Sequence, residues 1–535
     1  MDRVELEIEG MTCDACGVHV REALAKAGAR EVAIDWRAGS GTIASGGPGQ
    51  AELDQALAGT HYQVTRVLAP GPGNGDRPER GGRDFDLVVL GSGSAAFAAA
   101  IRARDLGGRV LLAEAGTVGG TCVNIGCIPS KSLLASSERH DGRPGALAQA
   151  VLVKAALVEQ LRREKYEQLL GEYEIELRYA QARLLDAHTV ALGDEQVSAE
   201  AILVATGARP AVPPIEGLEK VGYLTSTTAL ELTSPPARLA VIGANAVGLE
   251  LGQMLGNFGS QVTFIDLVRV APFEEPEVSE TMRQILLDAG HSVLESAATE
   301  RIAADGSEKI ITGTIPGERF EVRADEILVA TSRTPNSEGI GLEAAGVETD
   351  RRGAILVDEY QQTSVPSIYA AGDVTVQPQF VYVAAAAGAA AAQNALADGE
   401  GELQRLDFSN LPRIIFTSPQ IAAAGLTEQQ AREQGFEVET SLLPLDAVPR
   451  ALVNGDTRGL FKLVAEQESG RLLGASIIAD GAGEVIQSAV LAINQQMTID
   501  QLTTTWAPYL TMAEGLKLAA QTFNRDVAKL SCCAA

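Results

Sequence analysis

Residues 85–96 read FDLVVLGSGSAA and contain the pattern that decides the fold. The apolar run at 87–90 is typical of a buried parallel strand. The glycines after it permit a tight turn and a close approach of the backbone to a pyrophosphate at the N-terminus of the next helix. Glu114 ends the following strand about 20 residues later, where an acid can accept a hydrogen bond from a ribose. This order favours a Rossmann-like dinucleotide-binding unit over an ordinary strand–helix turn. Its fixed positions are Gly91, Gly93 and Ala96.

A second copy of the pattern begins about 150 residues later, where residues 239–250 read LAVIGANAVGLE. Its fixed glycines are Gly243 and Gly248. Asn245 replaces the middle glycine, and Asn tolerates left-handed backbone better than most residues. Asp266 ends the next strand, and an acid there accepts from a free ribose 2′-hydroxyl and repels a 2′-phosphate, which favours NADH. Arg269 is a candidate for binding the 2′-phosphate of NADPH, so the choice stays open. Two copies predict two nucleotides side by side.

Between the two copies lies a pair of cysteines, in residues 119–131, GGTCVNIGCIPSK. Four residues separate Cys122 from Cys127. Cys127 opens a predicted helix at 130–136, whose N-terminal dipole would favour a thiolate. The spacing is not that of a structural zinc site. Polar residues, glycines and Lys131 surround the pair, which disfavours two cysteines packed as small hydrophobic side chains.

Composition predicts a soluble, acidic protein of several domains. The chain has 535 residues, 46% of them hydrophobic, and a net charge of −27. This charge argues against nucleic acid as a partner. The first residues lack the basic start and apolar run of a secretory signal, and no uncharged apolar stretch reaches the ~18 residues of a membrane span. The alanine-rich stretch at 381–397 is predicted to be a packed helix. We therefore expect a cytoplasmic protein without membrane insertion.

The six cysteines form three pairs along the sequence. Cys532 and Cys533 are adjacent, and their Cα atoms, ~3.8 Å apart, are too close for an unstrained disulfide. Two thiolates near a chain end are suited to holding a soft ion. Cys13 and Cys16 lie in GMTCDAC, between a predicted strand at 4–8 and a predicted helix at 16–26. This context favours a soft metal ion over a thioredoxin-like redox pair.

The segment GGTCVNIGCIPSK resembles the redox-active segment of the pyridine nucleotide-disulfide oxidoreductases, and the resemblance covers residues 85–535. It implies that the first nucleotide is FAD. Cys127 would be the thiolate that touches the flavin, and Cys122 the thiol that exchanges with substrate. Lys131 would lie near the flavin and pair with Glu250. The other FAD-binding residues that the resemblance implies are Gly120, Thr121, Gly207 in ATG and Asp373 in AGD.

The segment WAPYLTMAE, residues 506–514, separates the branches of this family. Disulfide reductases of the family carry a His–Pro pair ahead of a Glu, and the His protonates the leaving thiol. Tyr509 stands at the position of that His, and its unperturbed pKa of ~10 makes it a poor acid near neutral pH. Together with Cys532 and Cys533, the segment resembles the mercuric reductases, which generally use NADPH.

This second resemblance implies reduction of Hg(II) to Hg(0) by NADH or NADPH through FAD, in a homodimer that detoxifies mercury. Mercury would pass from thiol carriers to Cys13 and Cys16, and then to Cys532 and Cys533, which reach across the dimer interface. From there it would pass to the inner pair, Cys122 and Cys127, of the other subunit. Tyr509 would line the inner site.

The expected fold class is α/β, with two Rossmann-like nucleotide-binding domains and a C-terminal α+β dimerisation domain. A small ferredoxin-like βαββαβ metal-binding domain is expected to precede them. The predicted boundaries are 1–68 for the heavy-metal-associated domain, 69–84 for a Gly/Pro-rich linker, 85–234 and 356–409 for the two parts of the FAD domain, 235–355 for the NAD(P) domain and 410–535 for the dimerisation domain.

Two other functions remain open at this point. One is a lipoamide-dehydrogenase-like disulfide reductase with an accessory metal-binding domain, against which Tyr509 speaks. The other is a copper chaperone or metal-binding protein with a secondary flavin domain. Cys13 and Cys16 alone fit copper(I), but the doubled nucleotide-binding pattern does not.

Overall fold

A computed structural model describes the chain except for residues 1–2, 10, 12–13, 31, 36–39, 45–47, 59, 61, 69–81, 141, 398–402 and 527–535. The predicted metal ligands Cys13, Cys532 and Cys533 lie outside the described residues, as does most of the predicted linker. Among the described residues, no helix combines the length and the apolar character that crossing a membrane requires.

The first unit, between residues 3 and 68, has the element order βαββαβ. Its strands form one antiparallel sheet in the order β2-β3-β1-β4. Leu6, Val20 and Leu24 are buried between this sheet and the helices, and Cys16 is buried with them. The elements are β1 (Arg3–Glu9), α1 (Asp14–Lys26), β2 (Ala33–Asp35), β3 (Ser40–Ala44), α2 (Gln50–Ala56) and β4 (Gln63–Leu68).

The second unit is a seven-stranded sheet with helices around it. Parallel strands run in the order β7-β6-β5-β10, and a later strand, β20 (Ile368–Ala370), is also parallel to β10. The strands β8 and β9 add an antiparallel extension. The elements to β11 are β5 (Phe85–Leu90), α3 (Ser94–Asp105), β6 (Val110–Glu114), α4 (Gly120–Ile125), α5 (Cys127–Arg139), α6 (Ala146–Arg162), a π-helix (Arg163–Glu167), α7 (Gln168–Glu172), β7 (Glu176–Tyr179), β8 (Ala182–Leu184), β9 (Thr189–Leu192), β10 (Glu195–Val204) and β11 (Ala208–Pro210).

The third unit is built on the second glycine-rich turn. Its parallel sheet has the order β14-β13-β12-β18. Between β14 and β18 along the chain, three further strands form an antiparallel sheet in the order β15-β16-β17. The elements are α8 (Leu218–Val221), α9 (Ser226–Ala229), β12 (Arg238–Ile242), α10 (Ala246–Asn257), β13 (Gln261–Ile265), α11 (Pro276–Asp288), β14 (Ser292–Leu294), β15 (Ala298–Asp305), β16 (Glu308–Ile315), β17 (Glu318–Ala324), β18 (Glu326–Val329), β19 (Arg333–Pro335) and α12 (Leu342–Ala345).

The chain then returns to the second unit through β20 (Ile368–Ala370) and α13 (Val381–Ala395). The alanine-rich sequence of α13 produces a helix, as predicted, and this helix packs on α3 at close range. A Cβ atom at Gly388 would overlap the carbonyl oxygen of Ala95. Small side chains therefore bring the two helix backbones together beneath the first glycine-rich turn.

The last unit is a five-stranded antiparallel sheet, β21-β22-β25-β24-β23, with helices on it. This matches the expected α+β character. The elements are β21 (Arg413–Ile415), β22 (Gln420–Gly425), α14 (Glu428–Glu433), β23 (Val438–Pro444), a 3-10 turn (Leu445–Ala447), α15 (Pro449–Asn454), β24 (Leu460–Glu466), β25 (Leu472–Ala479), α16 (Ala482–Asn494), α17 (Ile499–Thr504) and α18 (Glu514–Gln521).

A buried lysine connects the third and last units. Lys462, on β24, is 3% exposed. Its ammonium donates to Glu275 at 3.0 Å, to Glu277 at 2.9 Å and to Glu428 at 3.0 Å. A buried ammonium is stable when its donors all have partners, so these contacts fix α11 and α14 against the strand.

Candidate active site

The two inner cysteines lie at the junction of α4 and α5. Cys122 is in α4, Cys127 is the first residue of α5, and both are partly buried. Gly126 separates the helices, and a Cβ atom there would be 2.8 Å from the carbonyl oxygen of Thr121. Since real side chains do not approach so closely, the junction requires glycine at this position. The structure therefore brings the two thiols together by a sharp turn between two helices.

The two thiols have opposite acidities. The thiol of Cys122 donates a hydrogen bond to Cys127, which raises the pKa of Cys122 and lowers the pKa of Cys127 to about 6. Burial opposes the lowering, and the nearby Lys131 ammonium, one turn further along α5, adds to it. At neutral pH the pair therefore consists of a Cys127 thiolate and a protonated Cys122.

Lys131 and Glu250 are in direct contact. The Lys131 ammonium is 2.6 Å from one oxygen of the buried Glu250 carboxylate on α10. The other oxygen accepts the backbone N–H of Phe416 at 2.9 Å, and the ammonium is 4.6 Å from the centre of the Phe416 ring. Both carboxylate oxygens are thus satisfied, and one carboxylate links the thiol helix to the third and last units.

Tyr166 is a residue of this site that the sequence patterns did not indicate. It lies in the π-helix after α6, and its ring meets Phe97 edge-on with the ring centres 4.8 Å apart. Burial is the largest cause that raises the pKa of its hydroxyl, and the charges of Cys122 and Cys127 raise it further, against a hydrogen bond with Ser94. The basic cluster just before it, residues 162–165, has the pattern of a solvated helix face and gives no sign of a buried tyrosine.

The predicted site residue Tyr509 lies away from this cluster in sequence, in the turn between α17 and α18. Its side chain is 53% exposed, and that of the neighbouring Trp506 is 97% exposed. The backbone N–H of Leu510 donates to Glu514 at 3.3 Å, which holds the turn against the start of α18. Within the described residues, no group of three or more Cys, His, Asp or Glu side chains is placed to hold a metal ion.

The first glycine-rich turn has the geometry of a nucleotide cradle. Gly91 has φ of +110°, and a Cβ atom there would be 2.5 Å from the carbonyl oxygen of Ala205. A Cβ atom at Gly120 would be 2.6 Å from the Cα atom of Gly93, so the start of α4 rests directly on the turn. A Cβ atom at Gly207 would enter open space. The bare backbone therefore fits a closely bound pyrophosphate, as FAD would require.

Asp373 lies just after β20, at the same edge of the sheet. Burial raises the pKa of its carboxyl, and Arg333, with its Nε atom 3.3 Å away, opposes this rise. A half-buried carboxylate beside the turn can accept a hydrogen bond from a sugar hydroxyl, which is compatible with the implied FAD.

The second glycine-rich turn repeats this arrangement. Gly243 has φ of +102°, and a Cβ atom there would be 2.6 Å from the carbonyl oxygen of Ala330. A Cβ atom at Gly248 would overlap the carbonyl oxygen of Gly243. Asn245 has φ of −106°. The interpretation that Asn replaces the middle glycine here because it tolerates left-handed backbone is therefore wrong. The position is extended backbone that any residue can adopt, and Asn245 is the N-cap residue just before α10.

The comparisons with known proteins agree with this architecture. The family profile of pyridine nucleotide-disulphide oxidoreductases matches residues 85–388, and the profile of the family's dimerisation domain matches residues 411–520. The chain belongs to the pyridine nucleotide-disulphide oxidoreductases. Its mixed α/β fold with a C-terminal dimerisation domain is that of the family.

Several relatives within the pyridine nucleotide-disulphide oxidoreductases are mercuric reductases. The chain is 45% identical to the mercuric reductase of Staphylococcus aureus, over 99% of both chains. It is 48% identical to that of Streptomyces lividans, over 84% of this chain and 98% of the relative. The predicted resemblance to the mercuric reductases is confirmed. Among solved structures, the Cu(II) complex of the HOCl-induced flavoprotein disulfide reductase RclA from Escherichia coli is similar, with a TM-score of 0.75, 30% identity, and coverage of 82% of this chain and 99% of that one.

Proposed function

We propose that the chain is an FAD-dependent mercury(II) reductase that uses NADH or NADPH. The observation that carries the proposal is its similarity to mercuric reductases along nearly the whole chain. The thiol pair adds chemical support, because a thiolate is the ligand that a soft ion prefers. Tyr509, in place of a thiol-protonating His, supports a substrate other than a disulfide.

For the inner site, we infer that Cys127 binds mercury first, as a thiolate already present at neutral pH. Cys122 then becomes the second ligand and releases its proton, giving an S–Hg–S unit. Bound FAD would supply the two electrons that convert Hg(II) to Hg(0), after taking them from the nicotinamide. The Lys131 ammonium, paired with Glu250, helps to lower the pKa of Cys127, and the Glu250 carboxylate opposes it. Tyr166 would form one wall of the metal site.

For the nucleotide positions, we propose that Gly91, Gly93, Ala96, Glu114, Gly120, Thr121, Lys131, Gly207 and Asp373 hold FAD. Gly243, Gly248 and the strand end at Asp266 would hold the nicotinamide dinucleotide. The turn geometries support both assignments, because each turn leaves backbone bare beside a helix N-terminus.

For the assembly, we propose a homodimer with the predicted domain boundaries, in which the first unit is a ferredoxin-like metal-binding domain. Its Cys16 lies in the first turn of α1, a place where a soft-metal loop would end. Mercury would move from Cys13 and Cys16 to Cys532 and Cys533 and then to the inner pair of the other subunit. Large exposed apolar side chains on the last unit support an interface there. They are Trp506, Leu491, Leu452 and Val453. We place the enzyme in the cytoplasm.

The test is nicotinamide oxidation by the purified holoenzyme, measured with Hg(II) in excess thiol and, separately, with glutathione disulfide and lipoamide. We expect oxidation that depends on mercury and little turnover of either disulfide. Absence of mercury dependence would refute the proposal, and rapid lipoamide turnover would favour a disulfide reductase instead. Removal of residues 531–535 should abolish most mercury turnover and leave the bound flavin unchanged. Unchanged turnover would exclude the terminal pair from the path.

A further inference from the structure

In both nucleotide-binding patterns, an acid at the end of the strand after the glycine-rich turn accepts one hydrogen bond from the turn and one from the loop that follows the strand. In the first turn, the acid Glu114 ends β6. One of its oxygens accepts the backbone N–H of Gly116 at 2.6 Å, and the other accepts the hydroxyl of Ser92 at 2.5 Å. The carboxylate is therefore held rigidly between the turn and the loop after the strand, at the place where a ribose would lie.

In the second turn, Asp266 follows β13 and occupies the same position. One of its oxygens accepts the backbone N–H of Val268 at 2.8 Å, and the other accepts the backbone N–H of Ala244 at 2.8 Å. The sequence separations are the same in both turns: the turn residue lies 22 positions before the acid, and the loop donor lies two positions after it. The second site therefore copies the acid geometry of the first, where the expected ligand, FAD, carries an unphosphorylated ribose.

A carboxylate in this position can recognise two ribose hydroxyls. Each carboxylate oxygen has two lone pairs, and at Asp266 one backbone N–H occupies one of them on each oxygen. The remaining lone pairs can accept from a 2′- and a 3′-hydroxyl. A 2′-phosphate has no proton to donate when fully ionised, and it carries a charge of about −2 above its pKa near 6. It would meet the carboxylate with like charge.

The loop after Asp266 presents apolar side chains where a phosphate would need cations. Leu267 is 71% exposed and Val268 is 58% exposed. Arg269, the first cation after the strand, points into the loop, where its Nη2 donates to the carbonyl oxygen of Glu274 at 2.8 Å. Phosphate recognition by arginine depends on a fork of free N–H groups directed at the ligand. The contact with Glu274 therefore directs Arg269 into the loop and supports a site that does not use it to bind a 2′-phosphate.

A second acid strengthens the negative character of this loop. Glu295 follows β14, and its carboxylate accepts the backbone N–H of Val270 at 2.8 Å. Arg283, the cation that contacts it at 3.3 Å, also pairs with Glu280 at 3.4 Å. The Arg283 guanidinium is therefore already paired with two carboxylates, those of Glu280 and Glu295.

From this geometry we propose that the second nucleotide site selects the unphosphorylated ribose of NADH over the 2′-phosphorylated ribose of NADPH. Asp266 determines the preference, and Leu267 and Val268 form an apolar surface without compensating charge. The inference rests on the proposed function in one respect, that a nicotinamide dinucleotide is the electron donor. We expect kcat/KM for NADH to exceed that for NADPH at least tenfold.

The experiment measures flavin reduction in the holoenzyme by rapid mixing without oxygen and without mercury, with NADH or NADPH. Leaving mercury out separates the two proposals, because the donor preference is then read before any metal chemistry. A second readout is the rise in the midpoint of thermal unfolding with ADP-ribose and with 2′-phospho-ADP-ribose. We expect a rise with the first ligand only. Equal or better reduction and binding with the phosphorylated donor would overturn the proposal, whatever the mercury turnover.

Three variants sharpen the assignment. Leu267→Arg places a cation beside the ribose and should improve kcat/KM for NADPH at least fivefold. Phe273→Arg is the matched control, because Phe273 is 70% exposed further along the same loop and the added charge is identical. It should leave the NADH to NADPH ratio within twofold of the parent. Asp266→Asn should raise the KM for NADH and lower the discrimination at least fivefold. An unchanged ratio in both Leu267→Arg and Asp266→Asn would also overturn the proposal.

Discussion

Replacing Cys122 tests whether its thiol is what makes Cys127 acidic. In the structure, the hydrogen bond from Cys122 is the largest cause that lowers the pKa of Cys127 to about 6, ahead of the Lys131 charge. Cys122→Ala removes the donor and leaves the burial, which raises the pKa. Cys122→Ser keeps an O–H donor at the same place and is the matched control.

The size of the effect follows from the pKa. A thiol with a pKa of about 6 is about nine-tenths ionised at pH 7, whereas an ordinary thiol near 8.5 is only a few per cent ionised. The difference of about 2.5 between these two pKa values corresponds to about 3 kcal/mol of preference for the thiolate. Because the pKa is lowered, the thiolate is already half formed at pH 6 and is lost only below it. Loss of the donor moves that midpoint upward, past neutral pH.

The assay is alkylation of the reduced holoenzyme by iodoacetamide across pH 5 to 9, with the Cys127 peptide quantified by mass spectrometry. Peptide resolution keeps the other cysteines out of the signal. In Cys122→Ala, we expect the Cys127 rate at pH 6 to fall at least fivefold relative to Cys122→Ser. A parental midpoint above pH 8, or equal profiles in the two variants, would refute the hydrogen-bond explanation.

Three further predictions concern stability and nucleotide binding. Lys131→Met leaves the Glu250 carboxylate buried without its cation and should cost about 3 kcal/mol of unfolding free energy. Adding Glu250→Gln should recover part of this loss in denaturant titration, and a purely additive double variant would contradict the pairing. Lys462→Met, which exposes three carboxylates to one another, should lower the thermal midpoint by several degrees; no change would mean that the cluster is solvated. Gly248→Ala, whose Cβ would overlap a turn carbonyl oxygen, should raise the KM for the nicotinamide donor at least tenfold with the flavin content intact. Parental KM values would show that the turn can shift.

Local sequence signals located the chemistry of the site well. The separation of Cys122 from Cys127, with glycine between, was enough to place a thiolate at a helix start. The observed α5, Cys127–Arg139, is longer than the predicted helix at 130–136. The residues beyond the predicted bounds have only a weak helical pattern in sequence, and tertiary packing stabilises the helix there. Apolar runs before glycines likewise indicated both nucleotide turns.

Features that depend on tertiary contacts could not be read from the sequence. Tyr166 lies in a π-helix, near enough to the two cysteines for their charges to raise the pKa of its hydroxyl, and a π-helix leaves no periodic signal in the sequence. Lys462 sits in a strand that is otherwise apolar up to its last residue, Glu466, and only the assembled units show which acids surround the lysine. The direction of Arg269 was equally hidden, since a sequence places a side chain after a strand without showing where it points.

The contact of Gly120 with Gly93 restricts how this protein can change over evolutionary time. The helix that carries Cys122 rests on the first glycine-rich turn with two bare backbones in contact. A mutation that adds a side chain at Gly120 would disturb both the turn proposed to hold FAD and the helix that carries Cys122. Nucleotide binding and thiol chemistry would therefore be inherited together, because a change at this contact alters both.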